Sequence, residues 1–305
     1  LHLWIPPSQD ITLDADIGNL AVQYNLDLRQ VKKDLGIKGF VSPRSTLREI
    51  AEKNNIPPEQ FERYFAGYGT YNGWINLLVS DSGYWQALGR TIVVTVVSLA
   101  GLNLLGIMTG YGLAGLRRRD QVLIYNLYIL QTVIPAMLII IPQFLLVQSV
   151  QKLIPNADTP GATRAAVQLA SLIVLNIKGG ALSTLIYTAA VTSVPRELEE
   201  SAELDGASRL QYVFRILLPL MKVPIATVTV IMLPAIWNQF LEPFVYLDVA
   251  NTTVLPLIQS IGGQYAINYQ MTYTGVFVSI LPLVLVYLVF RRLFISSVMS
   301  GAVKG

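Results

Sequence analysis

The run Glu197-Leu-Glu-Glu-Ser-Ala-Glu-Leu-Asp-Gly-Ala207 is a polar island between two long apolar stretches of the chain. Pro195, just before it, fits the first turn of a helix, where its missing N–H is harmless. The acidic side chains at the start of the run then lie where the helix dipole favours negative charge. The sequence therefore predicts a short helix that begins at Pro195.

A sharp turn and a second helix are predicted next. Gly206 can adopt the left-handed conformation that ends a helix. Ser208, with Gln211 three residues later, has the pattern of a capping box. The apolar residues that follow recur at helical spacing, which predicts one apolar face to bury. They are Leu210, Val213, Phe214 and Leu217. The pattern is typical of a helix-turn-helix on a membrane surface.

This loop resembles the "EAA" loop of ABC-importer permeases. The resemblance lies in Glu200-Ser201-Ala202, three further residues, Gly206, nine residues and then Ile216-x-Leu218-Pro219. Ser201 replaces the usual first alanine, a change between small residues that should leave helix packing intact. In that family the loop is two short coupling helices seated in a cleft of a cytoplasmic ATPase. The alternative is an ordinary amphipathic loop between membrane helices.

The form of the loop is most similar to the smaller permease subunit of maltose-type sugar importers. Two features carry that likeness, Asp205-Gly206-Ala207 and the ending Gly301-Ala-Val-Lys-Gly305. The resemblance covers roughly residues 86 to 305. It implies that Glu200 and Asp205 make polar contacts with the ATPase, while Ala202 and Gly206 allow close approach. The residues assigned to ATPase coupling are Glu200, Ser201, Ala202, Asp205, Gly206, Ala207, Ile216, Leu218 and Pro219.

Composition indicates an integral membrane protein. Of 305 residues, 53% are hydrophobic and only 13% are charged, which is too apolar for a soluble domain. There is no cysteine and only one histidine, His2, so the chain has neither a thiolate metal site nor a multi-histidine site of its own. The net charge of +3 needs no nucleic acid to explain it.

The chain divides into a polar segment, residues 1–85, and a membrane domain, residues 86–305. The polar segment is interrupted by prolines, and Leu20–Gly36 is weakly echoed by Ile50–Phe65 as a possible duplicated pair of short helices. Five apolar stretches of the membrane domain are long enough to span a bilayer. They are approximately Thr91–Leu116, Val122–Val150, Ala165–Thr192, Val223–Leu247 and Met271–Phe290.

Basic residues predict the orientation. Arginines and lysines cluster after the first and fifth spans and between the third and fourth, so the positive-inside rule places these connections in the cytoplasm. The coupling loop, residues 193–219, and the C-terminus are then inside, and residues 1–85 are outside. The clusters are Arg117–Arg119; Arg196, Arg209, Arg215 and Lys222; and Arg291, Arg292 and Lys304.

A sixth, N-terminal span is expected, because the family resembled is a six-span bundle with both ends inside. Leu1-His-Leu-Trp-Ile5 fits the outer end of such a helix, since Trp4 and the prolines after it suit an exit from the bilayer. The rest of that helix is either absent or unrecorded, and both alternatives stay open.

No nucleotide site is predicted in this chain. Gly110-Tyr-Gly112-Leu-Ala-Gly115 matches a dinucleotide fingerprint, but it ends an apolar span and follows no strand. Gly106 and Gly110 instead have the spacing of close helix packing in membranes. No phosphate-binding P-loop is present, so ATP and Mg²⁺ are expected on partner ATPase subunits and no cofactor on this chain.

Polar groups inside the spans are candidates for a transport pathway, because charge at membrane depth is costly. Lys178 lies beside Gly179-Gly180, and Glu242 ends Trp237-Asn-Gln-Phe-Leu-Glu242 between two prolines. The second group has the composition of a broken helix, and an aromatic face with amides suits a sugar. Snorkelling of Lys178 and an interfacial position for Trp237 and Glu242 remain alternatives. The pathway candidates are Trp237, Asn238, Gln239, Glu242, Lys178 and Gln131.

Taken together, the resemblance implies an all-α integral membrane protein, a type I ABC-importer permease bundle with an extracytoplasmic helical segment. Its partners would be a homologous permease, two ATPase subunits, an extracytoplasmic binding protein, a carbohydrate and membrane lipid, working by alternating access. Two rivals are an ion-coupled secondary transporter and an intramembrane enzyme. The sequence shows no inverted repeat, which the first would need. It also shows no nucleophile–base pair or metal set, which the second would need. An oligosaccharide is favoured over amino acids or phosphate.

Overall fold

The computed structural model describes residues 12–23, 28–69, 74, 77–78, 83–155, 157, 160–261 and 269–302. Throughout these residues the secondary structure is helical, and the one β-bridge joins Asp16 to Thr46. Trp4, the prolines beside it and Lys304 lie outside the described residues. The chain forms two compact units, residues 1–88 with 253–281 and residues 89–252 with 282–305.

Four short helices are described within residues 12–69 of the first unit. They are α1 (Ile17–Gln23), α2 (Leu28–Asp34), α3 (Leu47–Asn54) and α4 (Pro58–Gly69). Thr46 caps α3 in a capping box with Glu49, and Asn55 ends that helix in the left-handed conformation at φ 55°. The helices enclose an apolar core that includes Ile17, Leu47 and Phe61. The segment therefore has a core of its own, while its origin by duplication stays a prediction.

The helices of the apolar part of the chain follow. They are α5 (Tyr84–Ala114), α6 (Arg118–Val133), α7 (Ala136–Gln151), α8 (Ala162–Ile177), α9 (Ala181–Thr192), α12 (Lys222–Trp237), α13 (Leu241–Tyr246), α14 (Val254–Ile261) and α15 (Tyr269–Ala302). Between α9 and α12 lie the loop helices α10 (Glu197–Leu204) and α11, the latter built from Arg209–Tyr212, Val213–Leu217 and Leu218–Leu220.

Only α5 is a single helix long and apolar enough to cross a membrane, among the residues the structure describes. Three bent helix pairs also qualify if each is one span: α6 with α7, α8 with α9, and α11 with α12. The last pair does not coincide with the predicted fourth span, Val223–Leu247. That span covers α12 and, after a break, α13, whereas the bent pair adds α11 before α12. The fifth predicted span, Met271–Phe290, runs beyond the side chains described, and its described apolar part is Thr272–Leu288.

The second span is interrupted at Pro135. Ile134 and Pro135 have extended backbone angles, and the helices on either side differ in direction by 100°. The cause is local, because proline disfavours a helical conformation at the residue before it. Pro142, by contrast, lies within α7 without ending it. Pro135 and Pro142 in this apolar stretch predict a kinked span, and the structure places the kink at Pro135.

Glycines on α5 allow α9 to approach closely, as their spacing predicts. A Cβ atom at Gly106 would lie 2.6 Å from the ring of Tyr187, and one at Gly110 would lie 2.8 Å from the carbonyl carbon of Tyr187. Neither distance is possible for a real side chain. Glycine is thus required at both positions where these two helices cross.

A buried polar network joins three spans beside this crossing. The Tyr187 hydroxyl donates to Asn103 Oδ1, and Asn103 Nδ2 donates to Thr229 Oγ1 at 3.0 Å. Tyr187 is fully buried, and apolar side chains surround the network. Because buried polar groups are costly unless they are paired, the three hydrogen-bonding side chains fix how α5, α9 and α12 pack.

Candidate functional site

The turn of the coupling loop has the predicted conformation. Gly206 has φ 81°, and the Ala207 N–H donates to the Ala202 carbonyl at 2.9 Å. Such a left-handed residue closes a helix with bonds back to its last turn. The first helix begins at Glu197 rather than at Pro195, whose carbonyl accepts a bond from the Leu198 N–H at 3.3 Å.

The second helix begins with the predicted capping box. The Gln211 N–H donates to Ser208 Oγ at 3.3 Å, and the Ser208 N–H donates to Gln211 Oε1 at 2.7 Å. Only two of the four residues predicted for the apolar face are buried. Leu210 and Phe214 are exposed, while Val213 and Leu217 are buried with Tyr212. The buried face instead centres on Tyr212, Val213 and Leu217, and Val213–Leu217 forms a π-helical turn.

The outer face of the loop carries charged and large apolar side chains. Of the residues assigned to coupling, Ala202 is buried, Ala207, Ile216 and Leu218 are half-buried, and Glu200, Ser201, Asp205, Gly206 and Pro219 are exposed. Leu204 is 90% exposed, and Leu210 and Phe214 lie on the surface as well. The loop thus presents carboxylates beside large apolar side chains, a combination that suits a protein partner.

The fourth span breaks where its polar cluster lies. Helix α12 ends at Trp237, Asn238 leaves the helical conformation, and α13 begins at Leu241. Trp237 is buried, Asn238 is exposed, and Gln239 and Glu242 are half-buried. The predicted broken helix is therefore present.

The third span also breaks, at Lys178 and the glycines after it. Helix α8 ends at Ile177, and Gly179 adopts φ 63°, which turns the chain into α9 at an angle of 56°. Lys178 is exposed at this break. A left-handed residue here requires glycine, so the Gly179 position determines the bend.

A reciprocal pair of amides joins the two breaks. Asn176 Nδ2 donates to Gln239 Oε1 at 3.0 Å, and Gln239 Nε2 donates to Asn176 Oδ1 at 2.8 Å. The structure therefore brings Lys178 and the Trp237–Glu242 group to neighbouring helix breaks. Asn176 was not among the candidates predicted from the sequence. Its amide, one turn before Gly179-Gly180 in an apolar helix, is the feature that could have indicated it.

Gln131 is not brought into this group by any described contact. It lies exposed on α6, a helix on which no described side chain is buried. Across the described residues there is also no group of three or more His, Asp or Glu side chains that could hold a metal ion.

We expect Asn176→Leu and Gln239→Leu each to lower stability, while the double variant loses little more than either single one. Each single change leaves one half-buried amide unpaired, whereas the double change removes both. A double-mutant cycle of unfolding in detergent should give a coupling free energy of about 0.6 kcal/mol and at most about 1.7 kcal/mol, the average and the maximum for hydrogen bonds between membrane helices. Gln131→Leu is the matched control and should show no coupling to Gln239→Leu. Additive losses would contradict the pairing.

Comparison with known proteins identifies the fold around these sites. The model of the family described as "Binding-protein-dependent transport system inner membrane component" matches residues 102–298. The chain belongs to this family. It is therefore an all-α membrane component of a transport system, with the type I permease architecture that the coupling loop predicted.

Relatives of this inner membrane component are named as sugar permeases. The chain is 29% identical over 220 residues to the probable starch degradation products transport system permease protein AmyC of Thermoanaerobacterium thermosulfurigenes, covering 72% of this chain and 76% of that protein. It is 25% identical to the arabinooligosaccharides transport system permease protein AraQ of Bacillus subtilis, covering 88% of each.

A solved structure supports the fold independently. It is a bacterial ABC transporter involved in the import of the acidic polysaccharide alginate, whose matching chain has a TM-score of 0.54 and 18% identity. The similarity covers 73% of this chain and 79% of that chain. At this level of identity the likeness shows the helical bundle alone.

Proposed function

We propose that this inner membrane component is a permease subunit of an ATP-driven importer and forms part of an alternating-access pathway for an oligosaccharide. The observation that carries the proposal is the coupling loop, residues 193–219. Its glycine turn and capped second helix hold a charged and apolar face outward, while its inner face packs into the core of the spans. The sugars named for the relatives support the choice of substrate.

The proposed complex contains a second, homologous permease, two ATPase subunits that bind ATP and Mg²⁺, and an extracytoplasmic binding protein. Glu200 and Asp205 are exposed at the turn and make polar contacts in the ATPase cleft. Gly206 allows close approach there. Ala202 is buried against the chain's own core, so its small size seats α10 on the spans instead.

In the proposed orientation the coupling loop and the C-terminus are cytoplasmic, and residues 1–85 are outside. The arginines of Arg117–Arg119 follow α5 directly, and the end of α5 contacts the coupling loop through Tyr111. These basic residues therefore lie near the same end of the bundle as the loop, which supports the positive-inside assignment.

The pathway is proposed to pass the two helix breaks. Asn176, Asn238 and Gln239 supply amides that can exchange hydrogen bonds with sugar hydroxyls. Trp237 is buried in this structure, so in this conformation it supports the break rather than offering its ring to a sugar. Glu242 is half-buried close to this group.

Reconstitution tests the substrate. The complex purified with its neighbouring gene products should take up labelled neutral or acidic oligosaccharides into proteoliposomes in an ATP-dependent way. Amino acids and inorganic phosphate should not compete. Competition by an amino acid with no effect of any oligosaccharide would contradict a carbohydrate pathway.

Lys178 is proposed to favour acidic sugars, because it is an exposed cation at a break in a membrane span. We expect Lys178→Ala to weaken competition by acidic oligosaccharides by about fivefold to tenfold, the effect of losing roughly 1 kcal/mol of charge attraction, with little change for neutral ones. Lys152→Ala, which removes a cation outside the breaks, is the control. Unchanged selectivity in Lys178→Ala would count against the role.

A further inference from the structure

One side chain of the first span contacts both helices of the coupling loop. The Tyr111 hydroxyl, near the end of α5, donates a hydrogen bond to Glu199 Oε1 on α10. The Tyr111 ring also packs against the ring of Tyr212 on α11, with centroids 5.9 Å apart. Burial, and then the Glu199 carboxylate, raises the pKa of Tyr212 above its ordinary value. The three side chains form one contact, here named the Tyr111 contact.

Glu199 differs from the other carboxylates of its helix. Glu197, Glu200 and Glu203 are exposed, whereas Glu199 is half-buried and lies three residues before the buried Ala202. Residues three apart share a helix face, so Glu199 faces the spans. Glu199 therefore links α10 to α5 and does not face a partner protein at the surface.

The contact continues into the rest of the bundle through close packing. Gly110, next to Tyr111, abuts the backbone of Tyr187, where even a Cβ atom has no room. The Tyr187 hydroxyl donates to Asn103, which donates to Thr229 on α12. These contacts form a continuous path of close packing and hydrogen bonds from Tyr111 to α9 and α12.

We propose that Tyr111 and Glu199 are positioning residues that transmit movement of the coupling loop to the membrane spans. The proposal rests on the proposed function of residues 193–219. When a partner ATPase moves α10, the hydrogen bond and the ring contact pull the end of α5 with it. Without the hydrogen bond, α10 moves and the spans follow it less.

The test uses the intact complex, purified with its ATPase and reconstituted, and measures sugar uptake per ATP hydrolysed. Tyr111→Phe removes only the hydroxyl and keeps the ring against Tyr212. We expect assembly and basal ATPase activity to stay close to the wild-type level, while uptake per ATP falls by at least about fivefold, the lower end of ordinary coupling between sites. Glu199→Leu should have the same effect, and the double variant should be no worse than either single one.

Two variants distinguish transmission of movement from the loop to the spans from simple structural support of the loop. Glu199→Gln keeps an oxygen that accepts the hydrogen bond, so it should retain most of the uptake per ATP. Tyr128→Phe removes a hydroxyl that makes no hydrogen bond to any described residue, and it should match wild type.

The proposal is wrong if Tyr111→Phe leaves uptake per ATP unchanged. It is also wrong if Glu199→Gln and Glu199→Leu lose it equally, or if every loss parallels loss of the ATPase from the complex. Failure of the wild-type chain to bind an ATPase would instead refute the function on which the proposal rests.

Discussion

We expect Gly206→Val to reduce ATP-driven uptake strongly while the membrane bundle stays folded. Gly206 has φ 81°, a conformation that costs a residue with a branched side chain roughly 1–3 kcal/mol. The turn is exposed, and the position of a Cβ atom there meets no other atom within 4 Å. The strain therefore acts on the angle between α10 and α11 and not on the core. Uptake and stimulation of ATPase activity should each fall about tenfold or more in the purified complex.

Gly112→Val is the matched control, because Gly112 lies in α5 with open space where a Cβ atom would be. It should assemble and transport like wild type. Normal uptake by Gly206→Val, with the same ATPase content as the control, would show that the turn does not carry coupling.

We expect Gly110→Val to destabilise the bundle strongly. The Cβ position at Gly110 is 2.8 Å from the carbonyl carbon of Tyr187 and 3.0 Å from the backbone nitrogen of Thr188. Backbone atoms cannot move aside as a flexible side chain can, so α5 and α9 must separate. The separation breaks the buried hydrogen bond from the Tyr187 hydroxyl to Asn103. Overpacking of this kind costs about 1–3 kcal/mol or more.

The measurement is the yield of monodisperse protein in mild detergent and its midpoint of thermal unfolding. Both should fall for Gly110→Val and should be unchanged for Gly112→Val, on the same helix two residues away. A monodisperse Gly110→Val protein with the wild-type midpoint would contradict the close crossing of α5 and α9.

The turn of the coupling loop could be predicted because its determinants are local. Gly206 and the Ser208–Gln211 box each act within one helical turn. The π-helical turn at Val213–Leu217 could not, because no local signal marks it and the burial of Tyr212 and Leu217 in the core accompanies it. Helical spacing alone then assigned Leu210 and Phe214 to the wrong face.

The bend at Pro135 was predictable because proline acts locally, whereas the break at the left-handed Gly179 was not predicted. Hydropathy identified the apolar stretches but not their bends, since a bent pair and a straight span have the same composition. The contacts of Asn176 with Gln239 and of Tyr111 with Glu199 join residues 63 and 88 positions apart. Such pairs depend on tertiary packing, which one sequence without relatives does not show.

Co-purification tests the central claim most directly. The chain is expressed with its neighbouring genes, purified in mild detergent, and assayed for a bound ATPase and for solute uptake after reconstitution. An ATPase that co-purifies with the wild-type chain and drives oligosaccharide uptake is the predicted result. No associated ATPase, together with uptake driven by an ion gradient alone, would contradict the account and favour a secondary transporter.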